Sequence, residues 1–438
     1  MKFPTSVMTS SDTATYAADV LVIGGGMAGM TAALAATRAG KRVVVVDKAS
    51  AFGGSAAISG GFVWTVRSVE EFASQCPLGD LELGHVLVEG YPALIARLAD
   101  TGVELGDEQP VLYGRGRRLD VLGYIRRVCR KVAAHDGILA PITQVCSLVQ
   151  EGRKVTGAQV RDAGGLTTIL AERTVLATGG FQGNRALLHR HLKGSAARLL
   201  HRAGPQSTGD GLTLGISAGA GTSRGMDAFY GHLVASGIPE FTERQFVRFA
   251  QFCSDQGLLL NTDGRRFTDE SLGDHMNAQQ VARQTEGRAL LVFDHATRRR
   301  AAASFVPGLE SYDPVVECST AGARLTSGED LSAVAAGAAV WGYPAESVAG
   351  LPAGADSSAV AKSRLGAPPY YAVEVRPAIT FTEGGLRIDP GGRVLDPAGT
   401  VIPGLYSAGA DAGGLFAGGY AGGLASAGVF GMVAVEDG

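Results

Sequence analysis

No apolar run in this chain reaches the roughly 18 residues that a membrane-crossing helix needs, so a membrane partner is not expected. The amino-terminal stretch MKFPTSVMTSSDTATYAAD lacks the apolar core of a signal peptide and reads as a frayed polar tail, which argues against export. Excess charge is also missing. The 39 Lys and Arg against 42 Asp and Glu leave a net charge of −3, which gives no reason to expect nucleic acid as a partner. Cysteine is scarce: Cys76, Cys129, Cys146, Cys253 and Cys318 form no C-x-x-C pair and no metal-ligand spacing. An odd number of thiols without a framework predicts no metal site and fits a reduced, cytoplasmic compartment.

Glycine is what the chain has in excess, with 63 of 438 residues. That is roughly twice ordinary usage. The glycines keep no fixed period, which excludes collagen, and they gather at three places. The first lies in DVLVIGGGMAGMTAALAATRAGKRVVVVD, residues 19–47. Val20 to Ile23 is a short apolar run of strand type, followed by Gly24, Gly26 and Gly29 in G-x-G-x-x-G spacing. An Ala-rich helical segment and a second apolar run, Val43 to Val46, follow, and Asp47 closes the unit. Each part has a mechanical reason. Gly24 permits the tight turn, Gly26 lets a pyrophosphate approach the backbone, and Gly29 lets helix and strand pack closely. The helix start offers free N–H groups to phosphates, and Asp47 can accept hydrogen bonds from a ribose. Together these predict a bound dinucleotide.

The length predicts two domains. After the first unit, residues 51–61 (AFGGSAAISGG) read as a loop that hugs a ligand, with Ser55 placed to bond a phosphate or ribityl oxygen. Residues 68–135 read as helices, with Arg126, Arg127, Arg130 and Lys131 on a solvated face; the Gly/Arg-rich turn near Tyr113 has no explanation at this level. Pro141 to Arg161 and Leu166 to Ala171 alternate like antiparallel strands. A strand running into Thr178-Gly-Gly180 forms the second glycine cluster, and Asp210 of Thr208-Gly-Asp-Gly211 is placed like a helix N-cap. Beyond His232 the composition changes, and a Pro/Gly/Ser-rich segment spans Ser347 to Pro369, which reads as part of an inserted second domain. Tyr370 to Phe381, Val401 to Gly409 and the third glycine cluster, Ala412 to Gly428, return to the first pattern. His189, His191, His201 and Arg298 to Arg300 read as surface groups.

The segments VIGGGMAGM, GGSAAISGG, VLATGGF, STGDG, NTDGRRFTDES, RPAITFTEGGLRID, IPGLYSAGADAGG and YAGG span nearly the whole chain. They resemble the flavoprotein family of fumarate reductase, 3-ketosteroid dehydrogenase and tricarballylate dehydrogenase. The resemblance implies an α/β fold, a Rossmann-like FAD-binding domain interrupted by an α+β capping (substrate) domain. The implied boundaries are 15–232 and 371–438 for the FAD domain and 233–370 for the cap. It places FAD against Gly24, Gly26, Met27, Ala28 and Gly29, against Asp47 and Lys48, and against Gly53, Gly54, Ser55, Ser59, Gly60 and Gly61. Val145, Ala177, Thr178, Gly179 and Asp210 join them, followed by Gly409, Ala410, Asp411, Gly423, Leu424 and Ala425.

Departures from the family pattern narrow the chemistry. Gly54 stands where succinate dehydrogenase-type members attach FAD through histidine, so noncovalent FAD is implied. Asp274 stands where fumarate reductases keep a proton-donating arginine, and a carboxylate cannot copy that planar cation. Tyr420 replaces a second arginine and Phe381 a histidine, while His232 is retained. Tyr420-Ala-Gly-Gly-Leu424 resembles the ketosteroid dehydrogenase segment whose tyrosine hydroxyl and backbone N–H polarise a ketone. Ala410 stands where the family has a flavin-contacting Glu, with Asp411 as the candidate replacement.

The implied reaction oxidises a saturated carbonyl compound, a cyclic ketone of ketosteroid or cyclohexanone type, to its α,β-unsaturated form. Tyr420 and the N–H groups near Gly423 would stabilise the enolate oxygen, and Asp274, His275, Tyr230 and His232 are the candidate bases. The partners are then a small carbonyl substrate and an external electron acceptor. The alternatives are an ene-reductase, a tricarballylate-type carboxylate dehydrogenase, and a flavin-binding protein without activity. Structural roles compete for His232, His275 and a helix-capping Asp274. Tyr420 as a packed core aromatic is disfavoured, because its glycine-rich flanks offer little to pack against.

Overall fold

The computed structural model describes residues 14–192, 198–239, 245–304, 312–352 and 365–436. They form two compact units. One comprises Met1–Leu187, Gly204–Ala228 and Phe381–Gly438; the other comprises Leu188–Ala203 and Phe229–Thr380.

The first unit is built on an eight-stranded sheet. Its centre is β1 (Ala14–Ile23), the helix α1 (Met27–Arg38) and β2 (Val43–Val46). Strand β1 lies parallel to β2 on one side, with Val22 opposite Val45, and parallel to Gly165–Leu176 on the other, with Val22 opposite Val175. Ile138–Ala140 extends the sheet beyond β2, and Val401–Ser407 extends it beyond Gly165–Leu176. Val20, Leu21, Val22 and Val45 are wholly buried, which explains why these strands are continuously apolar rather than alternating. Helix α1 presents Ala32, Ala33 and Ala36, all wholly buried, so its packed face is made of small residues. A Cβ on Gly431 of the last helix, Gly423–Val433, would lie 2.4 Å from the Ala28 carbonyl, so that helix packs on α1 almost backbone to backbone.

Four sequence expectations change here. Residues 14–18 are not frayed, because they pair with Thr167–Ala171; the partner strand lies some 150 residues away and is invisible locally. Residues 68–135 are not all helical. Helices Val69–Gln75, Leu81–Ala99 and Val121–Ala134 are interrupted by the antiparallel strands Gln109–Val111 and Gly114–Arg118, which join Phe62–Thr65 in a small sheet. Gly116 explains the strand: a Cβ there would lie 2.4 Å from the Trp64 Cβ, a close backbone approach that only glycine allows. Asp210 is not an N-cap; the helix Asp210–Ser217 is capped by Gly209, at φ 80°. Arg298 is not a solvated helix end, since it pairs with Asp313 at 2.9 Å and donates to the Tyr371 hydroxyl at 2.9 Å.

The second unit holds a six-stranded sheet centred on Tyr370–Thr382, which pairs with Leu200–His201, Phe229–Ala235, Ala289–Phe293 and Leu325–Gly328. Leu258–Leu260 continues it beyond Ala289–Phe293. The core is Leu290, Val292, Val334 and Ala372, all wholly buried. Full burial of the Leu and Val side chains contributes about 1.5–3 kcal/mol each. Glu374 is 1% exposed on the central strand and is held by Arg288, by Arg324 at 2.7 Å and by the Ser236 hydroxyl at 2.6 Å, so its charge is matched. This unit is larger than the expected 233–370. It begins at Phe229, takes in Leu188–Ala203 and keeps Tyr370–Thr380, because that strand is the spine of the second sheet. Much of the Pro/Gly/Ser-rich segment, residues 353–364, lies outside the described residues. Among the described residues no helix is long and apolar enough to cross a membrane, and no group of His, Cys, Asp and Glu could hold a metal ion.

Candidate functional site

The three motif glycines have three different surroundings. A Cβ at Gly24, whose φ is +109°, would lie 2.2 Å from the Ala177 carbonyl oxygen; one at Gly29 would lie 1.9 Å from the Gly24 carbonyl oxygen. Both glycines are required by the protein's own packing. Gly26 differs, since a Cβ there would meet only the Gly53 carbonyl, at 3.9 Å. It caps α1, and no side chain caps that helix, so the first N–H groups of α1 open onto vacant space. That cradle fits a pyrophosphate. Met27 and Ala28 are the buried first residues of the helix. Asp47, at the end of β2, accepts from the Gly25 amide at 2.7 Å and from the Ala49 amide at 2.8 Å. Each carboxylate oxygen has two lone pairs, so Asp47 retains capacity for a ribose hydroxyl.

The loop after β2 folds onto this turn. Gly54–Ile58 is a turn of 3-10 helix in which Gly53 and Ala56 are buried while Gly54 and Ser59 stay exposed. Ser55 Oγ accepts from the Gly204 amide at 3.0 Å, and Ser59 Oγ accepts from the Gly61 amide at 3.3 Å, with Gly60 between them. Lys48 donates to Asp210 at 2.8 Å and to Thr208 at 2.5 Å, so the Thr208-Gly-Asp-Gly211 loop is pinned to the end of β2. Thr143 donates its amide to the Asp47 carbonyl at 2.8 Å, which carries Val145 to the same end of the sheet. Gly179 lies near Ser207: a Cβ there would be 3.0 Å from its hydroxyl.

Asp411 does not replace the missing Glu at Ala410 in any simple sense. It is 1% exposed, and its carboxylate accepts from the Thr178 amide at 2.5 Å and the Thr178 hydroxyl at 3.1 Å. Its place is in the join between two loops. Burial outweighs these hydrogen bonds and pushes its carboxyl up to about 7, with the charge of Asp210 acting in the same direction. An unfolded Asp titrates near 3.9, so between about pH 4 and about pH 7 the folded protein holds a proton that the unfolded chain releases. Stability should therefore fall as pH rises through that window and level off above it. Urea unfolding at about pH 5 and about pH 8 should show a loss of a few kcal/mol at most, and Asp411→Asn should flatten the difference.

Tyr420 is packed, contrary to the sequence expectation. It is 9% exposed and meets Trp64 edge-on at 5.4 Å, Phe416 at 5.4 Å and Phe381 at 5.9 Å between ring centres. Its hydroxyl oxygen accepts from the Gly423 amide at 2.7 Å, at the first turn of the helix Gly423–Val433. The Gly423 N–H is thus engaged with the phenol. Gly409 backs the same helix start against α1, with a Cβ there 3.1 Å from that of Ala28. Tyr113, unexplained in the sequence, donates its hydroxyl to the Tyr420 carbonyl and stacks edge-on against Trp64.

In the second unit the other four candidates come together. The His232 Nδ1 and the Asp274 carboxylate are hydrogen-bonded. Tyr230 lies edge-on to the His232 ring at 5.1 Å and 6.2 Å from the His275 ring. Asp274 is the first residue of the helix Asp274–Ala282 and does not cap it; Gly273 precedes it as the cap. Burial drives His275 down to about 4, so it is neutral near pH 7, and its buried Nε2 has no hydrogen-bond partner among the described residues.

The FAD binding domain family matches residues 19–77 and 123–426. The chain belongs to this family. It is an FAD-dependent oxidoreductase. Gly54 carries no side chain through which a flavin could be attached. The flavoprotein is 26% identical over 429 residues to a fumarate reductase (cytochrome) of Shewanella frigidimarina, across 91% of this chain and 72% of that protein. It is also 26% identical over 513 residues to the 4-oxocyclohexanecarboxylate 2-dehydrogenase of Sinomonas cyclohexanicum, across 89% and 87% of the two chains. The fold matches that of the Rhodococcus jostii 3-ketosteroid-Δ4-(5α)-dehydrogenase with a TM-score of 0.73, at 22% identity, over 99% of this chain and all of the other.

Sequence reasoning missed Trp64 and Tyr113, which surround Tyr420, and Ser254, which lies within 3.5 Å of Asp274. The two glycines of the strand Gly114–Arg118 were the available signal for the first two. Nothing local marked Ser254.

Proposed function

We propose that this flavoprotein is a desaturase that forms a C=C bond next to the carbonyl of a small cyclic ketone. One observation carries the reading. At a position where the resemblance to fumarate reductases would put an arginine, this chain has a phenol, Tyr420, bound to a helix-start amide at 2.7 Å and set among aromatic rings. Such a group suits one carbonyl oxygen that becomes anionic, and aromatic walls suit an alicyclic ring. The similarity to the 4-oxocyclohexanecarboxylate dehydrogenase supports a ring ketone.

In this reading the Tyr420 hydroxyl donates to the ketone oxygen, and the Gly423 amide strengthens that donor by bonding its oxygen. A base among Tyr230, His232, Asp274 and His275 takes the α-proton. Bound FAD supplies the hydride acceptor for the β-hydrogen. Gly24, Gly26, Met27, Ala28, Asp47 and Ser55 would hold its adenosine and diphosphate side, and the helix start at Gly423 its ring system. An external acceptor then reoxidises the cofactor.

The similarity to fumarate reductase favours a second reading, reduction of an activated C=C by the same residues in reverse. The two are separated anaerobically. Oxidised enzyme should be bleached by cyclohexanone-type ketones or by saturated ketosteroids. Oxidised enzyme that no saturated ketone bleaches, together with prereduced enzyme that enones reoxidise, would overturn the proposal.

A further inference from the structure

We infer that Tyr113 is a positioning residue for Tyr420, and that the hairpin carrying it braces the phenol against the start of the helix Gly423–Val433. This rests on the desaturase reading above and deepens it, by saying what keeps the proposed oxyanion donor in place. Every residue involved belongs to the first compact unit.

Tyr420 stands in backbone that cannot fix itself. Gly418 and Gly419 precede it, and Gly422 and Gly423 follow within three positions. Gly418 has φ +78° and Gly422 has φ +101°. Glycine has a wider choice of backbone angles than any other residue, so such a segment is loose unless something outside it takes hold. Three contacts do so. A Cβ on Gly419 would lie 1.5 Å from the Gln75 carbonyl oxygen, and one on Gly422 would lie 1.8 Å from the Trp64 carbonyl oxygen. Those two are backbone against backbone. The third is a directional side-chain bond: the Tyr113 hydroxyl donates to the Tyr420 carbonyl. The Tyr420 hydroxyl in turn accepts from the Gly423 amide at 2.7 Å. Tyr420 is therefore tied twice, its carbonyl to the hairpin and its phenol to the helix start. Trp64 meets both tyrosine rings edge-on, Tyr113 at 5.5 Å and Tyr420 at 5.4 Å.

The hairpin is shaped to make this reach. Val111 pairs with Gly114, so Leu112 and Tyr113 form its two-residue turn. Leu112 has φ 51° and is 69% exposed. A leucine in the left-handed region is strained by its own Cβ, and an exposed side chain offsets none of that by burial. Strain of this kind persists where the surroundings over-determine the backbone, and the adjoining contacts are those of Tyr113. Gly114 and Gly116 let the strand lie on Trp64. A Cβ at Gly114 would be 3.2 Å from the indole Cε3, and one at Gly116 would be 2.4 Å from the Trp64 Cβ. Burial pushes the Tyr113 phenol well above its usual range, with Cys76 and Tyr420 acting in the same direction, so it stays protonated and stays a donor.

A held carbonyl fixes the Tyr420 backbone and with it the direction in which the ring leaves the chain. Stabilising a developing oxyanion depends on a donor already in place before the charge appears. Misplacing such a group by about 1 Å can cost about 10²-fold in rate. Freeing the carbonyl should therefore act on kcat more than on KM.

The test is Tyr113→Phe, which keeps the ring against Trp64 and removes one oxygen. In FAD-loaded enzyme with the best ketone substrate, kcat should fall about tenfold while KM stays within about twofold. In a Tyr420→Phe background the same change should lower kcat no further, because the group it positions is gone. A merely structural role would lower flavin content and act equally in both backgrounds. The amides of residues 420–424 should exchange with heavy water up to about tenfold faster in Tyr113→Phe, as one lost hydrogen bond predicts, and that readout needs no substrate. Exchange and kcat both at the wild-type level overturn the positioning role alone, as do equal losses of kcat in the two backgrounds. Wild-type enzyme that no saturated ketone reduces overturns the desaturase reading and the rate effect with it, and the exchange result then decides the brace.

Discussion

Tyr420→Phe should lower turnover about 10²–10³-fold while the purified protein stays yellow. The phenyl ring keeps the packing against Trp64, Phe416 and Phe381, so the surrounding wall is preserved. What is lost is one oxygen and the donor it carries. A single preorganised oxyanion donor is worth about 3–4 kcal/mol of transition-state stabilisation. The same change strips the Gly423 amide of its acceptor, which should cost about 1–3 kcal/mol of stability if water cannot replace it. Steady-state kinetics with the best ketone substrate, a thermal unfolding midpoint and the flavin absorbance separate the two effects. Turnover at the wild-type level would remove Tyr420 from the mechanism.

Replacing two glycines of one motif should give opposite failures. Gly29→Ala puts a methyl 1.9 Å from the Gly24 carbonyl oxygen, backbone that cannot move aside without opening the turn between β1 and α1. The expected cost is at least about 3 kcal/mol, with poor folding and no flavin retained. Gly26→Ala meets nothing closer than 3.9 Å, so its stability should change by no more than about 1 kcal/mol. Its methyl projects into the space left for the pyrophosphate, so FAD affinity should fall at least tenfold, a change of about 1.4 kcal/mol. Unfolding curves and flavin titration of the apoprotein distinguish them. A Gly26→Ala protein that binds FAD as tightly as wild type would rule out the cradle.

The parts legible in the sequence were those set by local chemistry. Strand β1, α1, β2 and the glycine turn could be read because a buried parallel strand must be apolar throughout and a phosphate-binding turn must lack side chains. The helix Leu81–Ala99 followed from its apolar spacing, and the last helix from the glycines at its start. The four polar candidates of the second unit could be picked out by residue type and motif position, but their pairing was not visible. His232 and Asp274 are 42 positions apart, and only the packing of the helix Asp274–Ala282 against the strand Phe229–Ala235 joins them.

Tyr420 shows the same division. Its glycine flanks gave no sign of partners, because the partners come from Trp64, Tyr113, Phe381 and Phe416, three of them distant in the chain. The early start of β1 and the strand pair at 109–118 escaped for the same reason: an extended segment is defined by the neighbour it bonds, and that neighbour is remote. By itself the sequence determined the cofactor class, the α/β fold class and which residue type stands at each motif position. Only the tertiary structure decided which polar groups meet, which motif glycine has room beside it and which carboxylates are consumed by the fold. Side-chain pairing depends on where elements pack, and residue order alone does not carry that information.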